Sequence, residues 1–368
     1  MPLLIDLNFH SNIGFKDVAE ILEKQKPALK FSKYLKNEMV FIKHADLQEI
    51  RTIENIKYIF FKKRNGLFSI PFKTFKYLRK QHFKIILVQG FIFPFQLILL
   101  KIFLNKKAKI IVQHHGELPF TGIKGMLQRI SLSLIDACLF TSIENSIIWK
   151  ERKLIPNSCS CFEVLEASTD FKWLNKKEVL KNELGMRGQF NYLWVGRLNS
   201  NKDPLTVIRA FSAYHKINPA ARLYMIYQDV SLLSEIKEFI SAEDLTPIIN
   251  LIGSIPYKEL EKWFNAADFY ISGSHKEGSG YALIEAMACG CIPIVTDIPS
   301  FRKITDKGRF GFLYEAGNEN DLLLKLKESS QIDCDTFSEK IVEHFNSELS
   351  YSSIARDLDR ICNLLLHQ

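Results

Sequence analysis

The chain has 368 residues, 47% of them hydrophobic and 24% charged, with a net charge of +8. That is too long for one ordinary α/β core and fits two domains that each bury their own, and no repeat or low-complexity tract points to a solenoid or a disordered chain. Seven scattered cysteines without a C-x-x-C pair read as reduced core residues, which excludes a disulfide framework or a zinc site.

In chain order, residues 3–7 open as a strand with no basic, apolar and small-residue leader before them, which implies a cytoplasmic protein. Strand patterns recur at 85–88, 109–113, 137–141 and 162–165, separated by helical patterns such as 18–25 and 125–133. The apolar run 85–104 is long enough to suggest a membrane span, but Gly90 and Pro94 divide it into a buried strand and a helix start. Gln96 and Lys101 then interrupt its helical part. Residues 170–189 are charged and weakly periodic, and predict a linker. A second strand series follows at 191–195, 222–227, 248–252, 268–272 and 292–295, and the alternation predicts a second parallel sheet. Ile354, Leu358, Ile361 and Leu365 have the spacing of a final amphipathic helix.

The charge is unevenly shared. Residues 1–160 hold 26 lysines and arginines against 12 acids, and residues 161–368 hold 23 against 29. No acid occurs between Ile56 and Gly116, where cations including Lys62, Lys63, Arg64 and Lys73 alternate with phenylalanines. Such a stretch favours anionic lipid headgroups or a phosphate-bearing acceptor, and no nucleic-acid module accompanies it.

Chemistry concentrates in the second half. Glu277 and Glu285 stand eight positions apart around Gly278, Ser279 and Gly280, at the expected start of a buried helix between two strands. A strand–glycine loop–helix–strand unit places that loop at the carboxyl edge of a parallel sheet, with the helix's unpaired N–H groups and positive dipole end facing it. Upstream, Gly196 ends another strand, and Arg197 and Lys202 follow five positions apart, able to hold phosphate oxygens. In the first half, a strand runs into His114, His115, Gly116 and Glu117, and Glu166 follows a later strand.

The segment from Glu277 to Val295 resembles the E-x7-E signature of retaining GT-B nucleotide-sugar glycosyltransferases, above all glycosyltransferase family 4, and Gly196, Arg197 and Lys202 resemble that family's G-R-L…K segment. The resemblance implies two Rossmann-like domains facing across a cleft: an acceptor-side domain over 1–170, a linker over 171–189, a nucleotide-sugar domain over 190–345, and a C-terminal helix over 346–368 crossing back to the first domain. It implies a sugar moved from a UDP- or GDP-sugar to a hydroxyl of a lipid-linked or cell-surface glycan. Glu277 would then contact hydroxyls of the sugar and Glu285 the ribose. The amides of Gly278, Ser279 and Gly280 would meet sugar or phosphate, and Arg197 and Lys202 the diphosphate. His115, with His114 as fallback, would line the reaction centre, and Glu117 or Glu166 could meet the acceptor.

No metal or other cofactor is expected. Asp333 and Asp335, and Asp357 and Asp359, match an Asp-x-Asp metal motif only formally, far from the strand ends. Three departures stand out. The first strand is followed by residues 8–14 with a single glycine, Gly14. Arg302 takes the place of a common glutamate, and Ser279 that of a bulkier residue. Two other classes fit the same scaffold: a non-catalytic binding or partner subunit, and an epimerase or phosphorylase-like enzyme.

Overall fold

The computed structural model describes residues 4–12, 17–18, 20–21, 30–62, 70–104 and 108–367. The chain divides into two units, Met1–Ser168 with Tyr351–Gln368, and Thr169–Ser350. Gly14, Lys63 and Arg64 lie outside the described residues.

The first unit holds an eight-stranded sheet of β1 Leu4–Asn12, β2 Met39–Ala45, β3 Glu49–Ile53, β4 Ile56–Lys62, β5 Ile85–Gln89, β6 Lys109–Gln113, β7 Ala137–Phe140 and β8 Ser160–Glu163. Its order is β3-β4-β2-β1-β5-β6-β7-β8. All neighbours are parallel except the edge pair β3–β4. Val40, Ile42, Ile86, Val88, Ile110 and Val112 are buried in its core, the near-continuous apolar content that a sheet covered on both faces requires. The run 85–104 is β5 and the helix Pro94–Phe103, joined through Gly90 at φ +91°. No described helix is long and apolar enough to cross a membrane.

The second unit holds β9 Phe190–Gly196, β10 Ala221–Tyr227, β11 Ile249–Gly253, β12 Phe269–Ser272, β13 Ile292–Thr296 and β14 Phe312–Tyr314, in the order β11-β10-β9-β12-β13-β14. Every neighbouring pair is parallel. In each sheet the chain builds outward on one side of its first strand and then returns to build on the other. The reversals fall between β1 and β5 and between β9 and β12, the positions where open α/β sheets leave a crevice at their carboxyl edge.

The segment expected as a linker is part of the second unit. It contains the helix Lys177–Leu184, whose Lys177 and Lys181 both pair with the buried Asp268. Ahead of that helix, Lys172 N–H donates to Glu261 and Leu174 N–H to Asn265. The final helix, Tyr351–Leu366, belongs to the first unit. Its buried Asp359 accepts from Lys36 N–H at 2.9 Å and Asn37 Nδ2 at 3.2 Å, and Tyr351 donates its hydroxyl to Ser168 O at 2.7 Å. Asp333 caps the helix Cys334–His344 by accepting from Asp335 N–H. Asp333 and Asp359 thus each hold backbone amides.

Candidate active site

In the second unit two loops meet above the switch point. After β9 the chain passes Arg197, which is exposed, and turns through Asn199 to Lys202, whose N–H donates to the Asn199 side chain at 3.1 Å. Asp203, at φ +40°, caps the helix Pro204–His215 by accepting from Thr206 N–H. After β12, Gly273 lets the second loop come close: a Cβ there would stand 2.7 Å from the Asp203 carbonyl oxygen and 3.1 Å from that of Lys202. Backbone bonds lock the approach, His275 N–H to Asn201 O at 2.8 Å and Asn201 Nδ2 to Lys276 O at 3.1 Å.

This contact delivers Lys202 to Glu277. Their side chains form an ion pair and keep 25% and 16% of their surface exposed. Glu277 also accepts from the Ser274 hydroxyl at 2.9 Å, and its carbonyl from Ser300 Oγ at 2.6 Å. The helix Tyr281–Ala288 starts next, with Gly280 as N-cap at φ +65°, where a Cβ would lie 2.6 Å from the Ile304 side chain. No side chain caps that helix start. Glu285 points into the protein and is 5% exposed. Burial pushes its carboxyl up to about 7, opposed by the Tyr257 hydroxyl that donates to it at 2.7 Å.

In the first unit the polar groups at the switch point form one chain. Asp6 on β1 is buried, and burial raises its carboxyl to about 6 against the pull of the buried Lys43. Gln89 at the end of β5 donates Nε2–H to Asp6, which leaves its Oε1 facing His115 Nε2 at 2.8 Å. His115 Nδ1 meets the Glu166 carboxylate. Both ring nitrogens therefore face oxygen atoms, an environment that favours the protonated ring. Burial acts against that charge, but Glu166, with Glu117 and Asp6 behind it, raises its pKa.

His114, the fallback, is turned toward its own loop. It is buried, its Nε2–H donates to Glu117 O at 2.9 Å, its Nδ1 accepts from Gly116 N–H at 3.2 Å, and burial lowers its pKa. Glu117 spends its two oxygens on Phe91 N–H at 3.0 Å and His115 N–H at 2.6 Å, bracing two loops. Glu166 holds His115. Asp6, Gln89 and Gly273 escaped the sequence reading because each acts through a partner tens of residues away, and Ser274 and Asp203 because short-range loop bonds carry no pattern of their own. A cavity of about 570 Å³ also opens at the carboxyl ends of β1, β2 and β4, lined by Phe9, Phe61, Lys62, Phe72, Lys73 and Gln96.

Residues 176–340 match the family model described as glycosyl transferases group 1. The chain has the GT-B fold, and its second unit is similar to the group 1 glycosyl transferases. A relative from Campylobacter jejuni, N-acetylgalactosamine-N,N'-diacetylbacillosaminyl-diphospho-undecaprenol 4-alpha-N-acetylgalactosaminyltransferase, is 30% identical over 175 residues, 47% of this chain and 44% of its own length. Alpha-monoglucosyldiacylglycerol synthase of Streptococcus pneumoniae is 26% identical over 326 residues, covering 82% of this chain and 72% of its own. The chain thus spans less than half of the first relative. The solved structure of Anabaena HepE in complex with UDP aligns over 99% of this chain and 100% of its own, with a TM-score of 0.73 and 14% identity, a likeness of fold.

Proposed function

We propose that the chain is a retaining, metal-independent glycosyltransferase that moves a sugar from a UDP- or GDP-sugar to a hydroxyl of a lipid-linked or cell-surface glycan. The carrying observation is the Lys202–Glu277 pair, set at the switch point just ahead of an uncapped helix start, within the segment that matches the family model. An arriving diphosphate gives Lys202 a more highly charged partner, with Arg197 beside it. Glu277 is released to accept from hydroxyls of the donor sugar. The amides of Gly278, Ser279 and Gly280 meet sugar or phosphate, and Glu285 takes the ribose hydroxyls. Lys202, Arg197 and the helix end offset the charge that builds on the departing diphosphate, the part a metal ion plays elsewhere. The acceptor attacks on the face that the phosphate leaves, and a phosphate oxygen takes its proton, so no protein nucleophile is needed. From the first unit, His115, held by Glu166 and Gln89, lines the reaction centre.

The lipid-linked acceptor is favoured by the relatives' names, which carry diphospho-undecaprenol and diacylglycerol, and by one surface. On the helix Gly122–Leu132, Ile123, Met126 and Ile130 are 77%, 57% and 43% exposed, at helical spacing, with Lys124 and Arg129 alongside. Between Asn55 and Ile135 the sole acid is Glu117. A stripe of this kind suits an anionic membrane surface, where basic residues each add about 1 kcal/mol, and supports the reading of a protein that works at the inner face of a cell membrane.

The test is nucleotide release from UDP-, GDP- and ADP-sugars with EDTA present, with and without vesicles carrying membrane lipid extract. Release that needs the extract and survives EDTA is expected, as is co-sedimentation of the protein with anionic vesicles that Ile123→Asp weakens. Release without any acceptor indicates an epimerase-like or hydrolytic enzyme, release that needs inorganic phosphate a phosphorylase-like one, and none with any donor a partner subunit. Loss in EDTA restored by Mn²⁺ overturns the metal-independent account.

A further inference from the structure

Three of the seven cysteines converge at one edge of the first unit. Cys138 lies on β7, Cys161 is paired with it in register on β8, and Cys159 stands just before β8 begins. Residues opposite one another across parallel strands, and residues two apart in an extended segment, share a face of the sheet. The Cys138 and Cys159 sulfurs are 3.6 Å apart, and the Cys161 thiol faces the Cys159 carbonyl oxygen at 3.9 Å.

The environments of the three differ in a way that divides their chemistry. Cys138 and Cys159 are buried, whereas Cys161 is partly open at the edge strand. Burial pushes the Cys138 thiol well up. The neighbouring Cys138 thiol holds Cys161 down at about 7, against burial and with help from Lys150. A reachable thiol that ionises near neutrality, beside a buried thiol that keeps its proton, is suited to being oxidised first and resolved by its neighbour.

We propose that Cys161 is a site of oxidation by hydroperoxides and that Cys138 resolves it into a disulfide joining β7 to β8. The Cys161 thiolate attacks the peroxide oxygen, the O–O bond breaks, and hydroxide leaves, giving a sulfenic acid. Cys138 then attacks the Cys161 sulfur while losing its proton, the S–O bond breaks, and water leaves. Two thiols and one hydrogen peroxide become one disulfide and two waters. β8 leads on through Val164, whose N–H donates to Phe140 O at 2.8 Å, to Glu166, the residue that holds His115.

The experiment treats the full chain with hydrogen peroxide, counts remaining thiols, and maps cross-links by mass spectrometry of peptides. The expected result is loss of two of the seven thiols, one Cys138–Cys161 cross-link, and full recovery with dithiothreitol. In Cys138→Ser the intermediate should accumulate and be trapped on Cys161 by dimedone, and Cys161→Ser should keep its remaining thiols. Thermal unfolding first checks that both near-isosteric variants are folded, and the wild-type cross-link map needs no variant at all. Retention of all seven thiols, a cross-link that omits Cys138 or Cys161, or equal thiol loss in Cys161→Ser overturns the proposal.

Discussion

Both units place their polar side chains where the strand order reverses, yet they satisfy them differently. In the second, Lys202 and Glu277 meet through a single loop-to-loop contact, keep part of their surface open, and have no further cation or carboxylate bound to them among the described contacts. In the first, His115 has acceptors on both nitrogens, Gln89 is fixed at both ends, and Asp6 is buried against Lys43. The teaching is about exchange. A pair held by one mutual contact can trade partners when a more highly charged ligand arrives, whereas a closed chain of hydrogen bonds keeps its geometry and its charge through a reaction cycle.

The sharpest way to break this contrast is to remove one member of the exchanging pair. Lys202→Ala and Glu277→Ala should each lower kcat about a hundredfold or more, the usual scale for one electrostatic contact to developing charge. The double variant should lose much less than the product of the two. Steady-state kinetics on all three variants tests this, and full additivity would mean that the pair does not act as a unit.

The next effect is on the scaffold. Gly273→Ala places a methyl group against two backbone carbonyl oxygens, which cannot give way as a side chain could. A loss of about 2 kcal/mol is expected, seen as a lower Tm, with a raised donor KM as the loops separate. An unchanged Tm would show that the close approach is not needed.

In the first unit, Gln89→Leu removes the acceptor at His115 Nε2 and disconnects Asp6. The midpoint of the His115 ring in an NMR titration should fall by about one pH unit, the worth of one hydrogen bond to a charged group. The sign follows from the raised native value: whatever stability the imidazolium contributes is present at low pH and is lost as pH rises through its folded-state pKa.

The mildest expected effect belongs to Glu285. Its carboxyl, raised from 4.5 to about 7, keeps its proton in the folded protein where the unfolded chain would release it, so its contribution is present below pH 4.5 and is lost as pH rises through 7. Ribose hydroxyls bond best to the ionised form. UDP should therefore bind about tenfold more tightly at pH 8 than at pH 6. Calorimetry on wild type and Glu285→Gln checks this, and a slope that survives in Glu285→Gln would assign the effect to another group.

What was legible in the sequence was local. The second sheet's parallel strands and the helix after Gly280 follow from short apolar runs and a glycine loop. β2 was missed because it buries Lys43 and His44 among its apolar residues, β3 because an exposed antiparallel edge has no apolar face, and β14 because three residues carry no period. The residues 171–189 read as a linker because Lys177 and Lys181 reveal their partner, Asp268, only in the folded unit. His115 was visible as a strand-end histidine. That both its nitrogens are engaged was not, since Gln89 lies on another strand and Glu166 beyond the end of a third.

The bond from Tyr351 to Ser168 ties the point where the chain leaves the first unit to the point where it returns. In order of synthesis, the second unit is thus an insertion: all of Thr169–Ser350 is made before the first unit receives its closing helix. A ribosome-bound chain would hold a finished second unit while the first still exposes the surface that Ile354, Leu358 and Ile361 will cover, so the earliest-made strands are the last to be sealed.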